Sequence, residues 1–497
     1  MHLPRLLLAA LLCLALGPAL AQEGEGDDGI EVSEDPPAGE EAPAKGDDGY
    51  DPEEARKKNA GLAGGGPEDE GDPDAPKVKI DLQTKINEAI KRGVEALKKM
   101  QDKDGSWGPV RAQQRYDNPN EKGNFVRDEL GPTAWALYTL AKCGVEASDP
   151  VVQKGLEWIT SRTETVFDVV GGTAQQDANG GQGKAGIKKG TPRSLTTYES
   201  AAIILMTEAV YTKSAKLTAK QAKRPLYSDN ALKPPAKSRI PEDVWRRMHD
   251  RILWLTVGRR ISAGKTTTTI AGTHNLAGKN KGGWRYGQVQ SDGDADLSAT
   301  QFVLLALRAA CQAGYPLEKT APKTWESAAQ YAKNCQKSDG GFGYKIGGPS
   351  YASMTACGIG SLLICKEQIE LAAARTKDKA MKPPAWIDDA IKNGMAWLDK
   401  HFDAERNEAA ERQELFYYLY GVERVGDLSG RKEFNGKDWY LRGATMLVER
   451  QDADGKWIDP SGFPPEDVLG TCFALLFLKR ATIPVVTFTD PGSKGGE

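Results

Sequence analysis

The sequence predicts an all-α protein, a closed (α/α)6 toroid in which six helical hairpins alternate outer and inner helices. Three observations predict it. A seven-residue string recurs without gaps at Gln101–Trp107, Gln336–Phe342 and Gln451–Trp457, with Asp fourth, Gly fifth and an aromatic seventh. Each copy follows an amphipathic segment, and each precedes a segment that is apolar on every side. Those two patterns belong to a half-exposed helix and a fully buried one.

The first copy explains the others. Ile86, Ile90, Val94 and Leu97 recur at three- and four-residue steps, so Ile86–Met100 reads as an amphipathic helix. Gln at its end can hydrogen-bond the turn, Asp-Gly makes the turn tight, and the aromatic folds back onto the next repeat. Eight residues before each Gln stands a small residue, Gly93, Ala328 or Gly443, where a neighbouring helix can approach. A weaker fourth copy is Gly282–Gly287. Filling in the fainter segments places outer helices near 84–101, 149–162, 241–256, 323–337, 384–402 and 436–452. Inner partners follow near 131–144, 196–211, 298–314, 351–367, 411–425 and 467–480. A ring of such hairpins lets the terminal ones cover each other. The connections 163–195, 212–240 and 259–282 are long for helix–helix loops.

Around this body the composition changes sharply. Residues 1–21 have one early positive charge, a short apolar run and an Ala19-Leu20-Ala21 end, the pattern of a cleaved export signal. Residues 22–77 read as an acidic, disordered tether: within 22–75, nineteen Asp or Glu stand against four Lys or Arg, and aromatics are nearly absent. The toroid is assigned to 78–482 and a disordered tail to 483–497. No later run is long enough for a transmembrane segment. The body's moderate positive charge reads as a solvated surface balanced by the tether, with no nucleic-acid partner expected. Of the six cysteines beyond the signal, Cys143 and Cys365 lie ten residues after an inner-helix threonine and Cys311 eleven after another. That recurrence suits small core residues between hairpins.

The repeated Gln-x-x-Asp-Gly-x-Trp string resembles the repeat of squalene-hopene cyclases, related terpenoid cyclases and protein prenyltransferase β subunits. Gly283–Tyr286, Tyr417–Arg424 and Gly470–Leu478 extend the resemblance toward exported bacterial proteins with prenyltransferase/squalene-oxidase repeats. The resemblance implies an α/α toroid over residues 80–482. It also implies chemistry that can be checked position by position. The cyclases protonate an alkene with an Asp of a D-x-D-D-T motif. Aligned on Thr300, the donor position here holds Ser298 and the next Ala299, leaving only Asp296 as a match. A register shifted to the pair Asp294 and Asp296 stays open. The prenyltransferases hold zinc through Asp, Cys and His. Here Asp296 has no Cys two residues on, and His249, His274 and His401 are placed on outward helix faces or in a loop, so neither metal nor cofactor is expected.

The candidate site residues cluster at the inner-helix mouths. Asp296 and Asp467 each precede a threonine by four residues and Asp128 precedes Thr133 by five, while Tyr351 takes the same place in another repeat. Trp135, Tyr198, Glu199, Phe302, Tyr417, Tyr418 and Phe473 lie on inner helices and are placed around a central pocket, with Arg424 on the same set of helices. The carboxylates have two readings, helix caps or a ring of acids. The leading functional reading is a ring that binds a hydrophobic or isoprenoid-like ligand or an envelope polymer, without cyclase or zinc prenyltransferase chemistry. The alternative is an envelope enzyme on isoprenoid or glycan substrates with Asp296 and Asp467 as acids; a third is a purely structural module.

Overall fold

Alternating amphipathic and wholly apolar segments fold as two concentric layers of helices. The computed structural model describes residues 77–108, 130–162, 197–212, 228–236, 238–263, 266–270, 273–286, 294–459, 461–462 and 465–481. In chain order its helices are α1 (Lys77–Lys99), α2 (Leu130–Lys142), α3 (Pro150–Arg162), α4 (Thr197–Thr212), α5 (Glu242–Leu255), α6 (Leu297–Gln312) and α7 (Leu317–Thr320). They continue with α8 (Thr324–Asn334), α9 (Ala352–Thr376), α10 (Trp386–His401), α11 (Leu415–Ser429), α12 (Trp439–Arg450) and α13 (Glu466–Leu478). Packing neighbours run α2–α4–α6–α9–α11–α13 and back to α2, a closed inner ring. Outside it lie α1, α3, α5, α8, α10 and α12, and α1 packs on both α12 and α13 to close the outer layer.

The repeated letters each hold a defined contact. The indole N–H of Trp107, Trp284 and Trp457 donates to the carbonyl of Leu97, Leu255 and Leu447, at the end of the preceding outer helix (2.6, 2.5 and 2.7 Å). The backbone N–H of Trp107, Trp284, Phe342 and Trp457 donates to the hydroxyl of Thr133, Thr300, Thr355 and Thr471 on the following inner helix (2.9–3.1 Å). The side-chain amide of Gln101, Gln336 and Gln451 bonds its own turn and also a carbonyl of the next outer helix, Val151, Ala390 or Ala89. Gln451 therefore ties the last repeat to the first.

Glycine is required at the turn. Gly105, Gly340 and Gly455 have φ of +101°, +90° and +87°, and a Cβ there would meet a backbone carbonyl of the next outer helix at 2.6–2.7 Å. Gly93, expected as a point of helix–helix approach, meets both a ring and a helix: an added Cβ would lie 2.6 Å from the Trp457 indole and 2.9 Å from Leu475 of α13. Gly155 receives Trp107 in the same way, and the ring of Phe342 packs against Gly394.

Two departures from the sequence reading concern outer segments. The segment 259–282, expected as a loop, contains an antiparallel hairpin, β1 (Arg259–Ala263) with β2 (Thr266–Ile270). Its β-branched run Thr266–Ile270 favours extended backbone. A smaller hairpin, β3 (Glu433–Phe434) and β4 (Lys437–Asp438), leads into α12. His249, expected on an outer helix facing away from the central cavity, lies on α5 and is buried there with Nδ1 2.8 Å from the Tyr315 hydroxyl. The amphipathic face of α5 turns it toward the α6–α7 connection. Among the described residues no helix is long and apolar enough to cross a membrane.

Candidate functional site

Inner helices begin at one end of the ring, so their first turns bring sequence-distant polar groups together. Asp296 sits there as the N-cap of α6. Its Oδ1 accepts from the Ala299 N–H at 2.7 Å and its Oδ2 from Arg285 Nη1 at 2.5 Å. The carboxylate is fully buried, which pushes its pKa up, while the Ala299 amide and Arg285 pull it back. Arg285 also donates to the Tyr344 hydroxyl (2.6 Å) and lies over the ring of Tyr286 at 4.1 Å. Asp294, the other half of the shifted acid pair, is half-exposed and bonded to Lys345 (2.5 Å), whose ammonium holds its pKa down.

The remaining candidates divide by place. Asp467 is half-buried in the first turn of α13, where its Oδ1 accepts from the Val468 N–H at 2.9 Å. Glu199 is buried in the first turn of α4 beside Gly131, and its charge acts on Arg251. Tyr351 occupies the N-cap position of α9 without a side-chain capping bond. Tyr418 is buried beside Asp403, on the side of α11 away from the inward-facing rings. Asp128 lies outside the described residues.

Trp135, Tyr198, Phe302, Tyr417 and Phe473 come together, with Tyr420, which the sequence reading did not single out. Trp135 meets Phe302, Phe473 and Tyr420 at centroid distances of 5.3, 5.5 and 6.3 Å, mostly edge-on. Tyr198 and Tyr417 touch Phe302 at 5.6 and 6.0 Å, and Tyr417 meets Phe473 at 6.0 Å. Five of the six inner helices supply these rings, and the sixth, α9, supplies Cys357, whose Sγ is 3.3 Å from the Tyr417 hydroxyl. At this level the axis is filled by an aromatic layer.

A line of polar groups runs through that layer. The Tyr198 hydroxyl donates to Ser298 Oγ (3.2 Å), and Ser298 Oγ lies 2.8 Å from the Tyr417 hydroxyl. Gln301 Nε2 donates to Tyr417 (2.5 Å), and Arg424 Nη2 donates to Gln301 Oε1 (2.5 Å). Ser298, the position aligned with the cyclase acid, is thus a relay in a hydroxyl chain. Farther along, Lys142 pairs with Glu208 (3.6 Å) and Arg308 with Glu367 (2.6 Å) around a water-sized cleft of about 20 Å³ bordered by Tyr138, Leu305 and Tyr420.

The histidines have other duties. His274 stacks on Trp284 at 4.1 Å and burial pulls its pKa down to about 4, while His401 stacks on Trp397 at 4.0 Å. Among the described residues no group of three His, Cys, Asp or Glu is placed to hold a metal. Burial raises the thiols of Cys311, Cys335 and Cys472 to about 12 and that of Cys357 to about 11.

Residues 77–183 match the squalene-hopene cyclase C-terminal domain, and residues 254–392 match the prenyltransferase alpha-alpha toroid domain. No curated protein sequence matches. Solved structures that resemble the chain include a type II terpene cyclase from Scytonema in complex with its product merosterolic acid A. It is 12% identical over 82% of this chain and 99% of its own, with a TM-score of 0.42. A GH76 α-mannanase from Bacteroides thetaiotaomicron is 11% identical over 81% and 98%, with a TM-score of 0.43. Protein geranylgeranyltransferase-I from Candida albicans is 18% identical over 41% and 57%, with a TM-score of 0.26. Residues 77–183 and 254–392 thus match models of squalene-cyclase and prenyltransferase domains, and the fold of the chain is the α/α toroid.

Proposed function

We propose that the protein is an exported, ligand-binding toroid without terpene-cyclase or zinc-prenyltransferase chemistry. The observation that carries this reading is the state of Asp296. An acid able to protonate an alkene must present its proton to a dry cavity. Asp296 instead spends one oxygen on the α6 N-terminus and the other on Arg285, with no exposed surface. The paired-acid alternative has less support, because Asp467 is bonded to the backbone of its own helix. Export is supported by the leader pattern of residues 1–21.

Incubation of the purified protein with squalene or geranylgeranyl diphosphate, followed by gas chromatography and mass spectrometry, tests the chemistry. No cyclised product is expected. A product formed by the native chain and lost in Asp296→Asn would overturn the reading. Intact-mass analysis of the protein from an expressing bacterium tests export: a chain beginning at Gln22 is expected, and retention of residues 1–21 in an intracellular product counts against it.

A further inference from the structure

The repeats differ at one place on the inner ring. Two residues after the inner-helix threonine stand Trp135, Phe302 and Phe473, but α9 has Cys357. Five residues after it stand Tyr138, Leu305 and Leu476, but α9 has Gly360. Gly360 is buried, and a Cβ built on it would have no neighbour within 4 Å. A side chain that other repeats use to fill the interior is missing, and the space it would take remains beside α9.

Arg424 stands on the neighbouring inner helix α11, its Nη2 3.7 Å from a Cβ built on Gly421. Gly421 of α11 faces Ala356 of α9, with 3.2 Å between an added Cβ and the Ala356 methyl. Both inner helices begin at the same end, so one turn onward Arg424 comes level with Gly360. Its guanidinium also contacts Cys357 and covers the ring of Tyr420 at 4.2 Å. Arg424 is 1% exposed; Nη2 donates to Gln301, and Nη1 is buried without an acceptor. Ser361, next to Gly360, has a buried hydroxyl that also lacks a partner.

Charge sets Arg424 apart from the other cations on the inner helices. Around the inner ring Lys142 pairs with Glu208, Arg308 with Glu367 and Arg480 with Asp427. Glu423, adjacent to Arg424 in sequence, turns its carboxyl to Asp427. No carboxylate is paired with Arg424 among the described residues. A buried guanidinium without a counter-charge is costly, and an anion that reaches its free N–H relieves that cost.

We propose that the space beside Gly360 is a binding site for a carboxylate, held by Arg424 Nη1 and Ser361 Oγ with the Gln301–Tyr417–Ser298 chain fixing the guanidinium. One uncompensated positive charge fits one negative charge, and a planar guanidinium fits a planar carboxylate. This rests on the ligand-binding reading above and names its ligand class. The carboxylate has two possible sources, a small free acid or the head group of a long-chain acid.

Calorimetric titration of the full chain with sodium acetate and with sodium octanoate, at constant ionic strength, tests it. Saturable one-to-one binding is expected. Arg424→Met and Gly360→Leu should each weaken it about tenfold or more, equivalent to at least one strong polar contact. Gly360→Leu introduces the residue that Leu305 and Leu476 supply elsewhere, so it serves if Arg424→Met fails to fold. Tighter binding of acetate assigns the site to a free acid, and tighter binding of octanoate assigns it to the head of a longer one. Absence of binding to the native chain, or binding unchanged in both variants, overturns the site. Neither result bears on cyclisation, which is read separately from the product assay.

Discussion

Asp296 shows how one side chain can match a catalytic position and be committed elsewhere. Its carboxylate caps α6 and neutralises Arg285. Asp296→Ala should therefore destabilise by about 2–4 kcal/mol, combining loss of a cap with disruption of a buried ion pair. Asp296→Asn keeps a capping oxygen and should lose roughly half as much; urea unfolding measures both. His274 gives the pH dependence. Its folded pKa is about 4, against about 6.5 when unfolded, so the unfolded chain takes up the proton first as pH falls. The stability contributed by neutral His274 is complete above pH 6.5 and is lost as pH falls toward 4. By pH 5 the loss should be about 2 kcal/mol. Calorimetry at pH 7 and pH 5 should show this fall, with a smaller one in His274→Phe. These environments were not legible in sequence: His274 sits in a Gly- and Thr-rich segment, and its Trp284 partner is ten residues away across a turn.

At the scale of the element, each repeat is a hairpin locked by the same few bonds. The threonine of the inner helix accepts the N–H of the aromatic that precedes it, and both groups are buried. Thr355→Val keeps the shape and leaves the Phe342 N–H unpaired, so it should cost about 1–3 kcal/mol. Equal losses in Thr133→Val and Thr471→Val, read from chemical denaturation, would show that the bond is a common property of the repeat; a negligible loss in all three would refute its role. The alternation of amphipathic and all-apolar helices was readable because outer helices meet water on one face and inner ones on none. The extra length of α9, to Thr376, was not, because its last turns Glu370–Thr376 mix exposed and buried residues with little apolar rhythm.

For the whole molecule, closure decides how stability is shared. Gly93 and Gly155 are equivalent notches, one at the seam between last and first repeats and one inside the ring, with Trp457 and Trp107 seated in them. In an open solenoid the terminal contact would fray independently. In the ring, Gly93→Leu and Gly155→Leu should lower a single cooperative transition by similar amounts, about 3 kcal/mol or more, because each overpacks a buried indole. Circular dichroism melts compare them, and a separate early transition confined to Gly93→Leu would contradict closure.

Turn chemistry and hydrophobic period are local properties of the chain, so the sequence alone carried the repeat, the six hairpins and the layer each helix occupies. It also pointed to five of the aromatic rings that meet on the axis, because they lie on the all-apolar inner helices. What those rings do follows from packing: side chains from five inner helices meet and fill one level of the ring. Packing likewise commits Asp296 to Arg285 and leaves Arg424 Nη1 buried without an acceptor. Such contacts join residues from 11 to 123 positions apart, and their energies depend on burial and mutual distance. Local pattern fixes neither quantity.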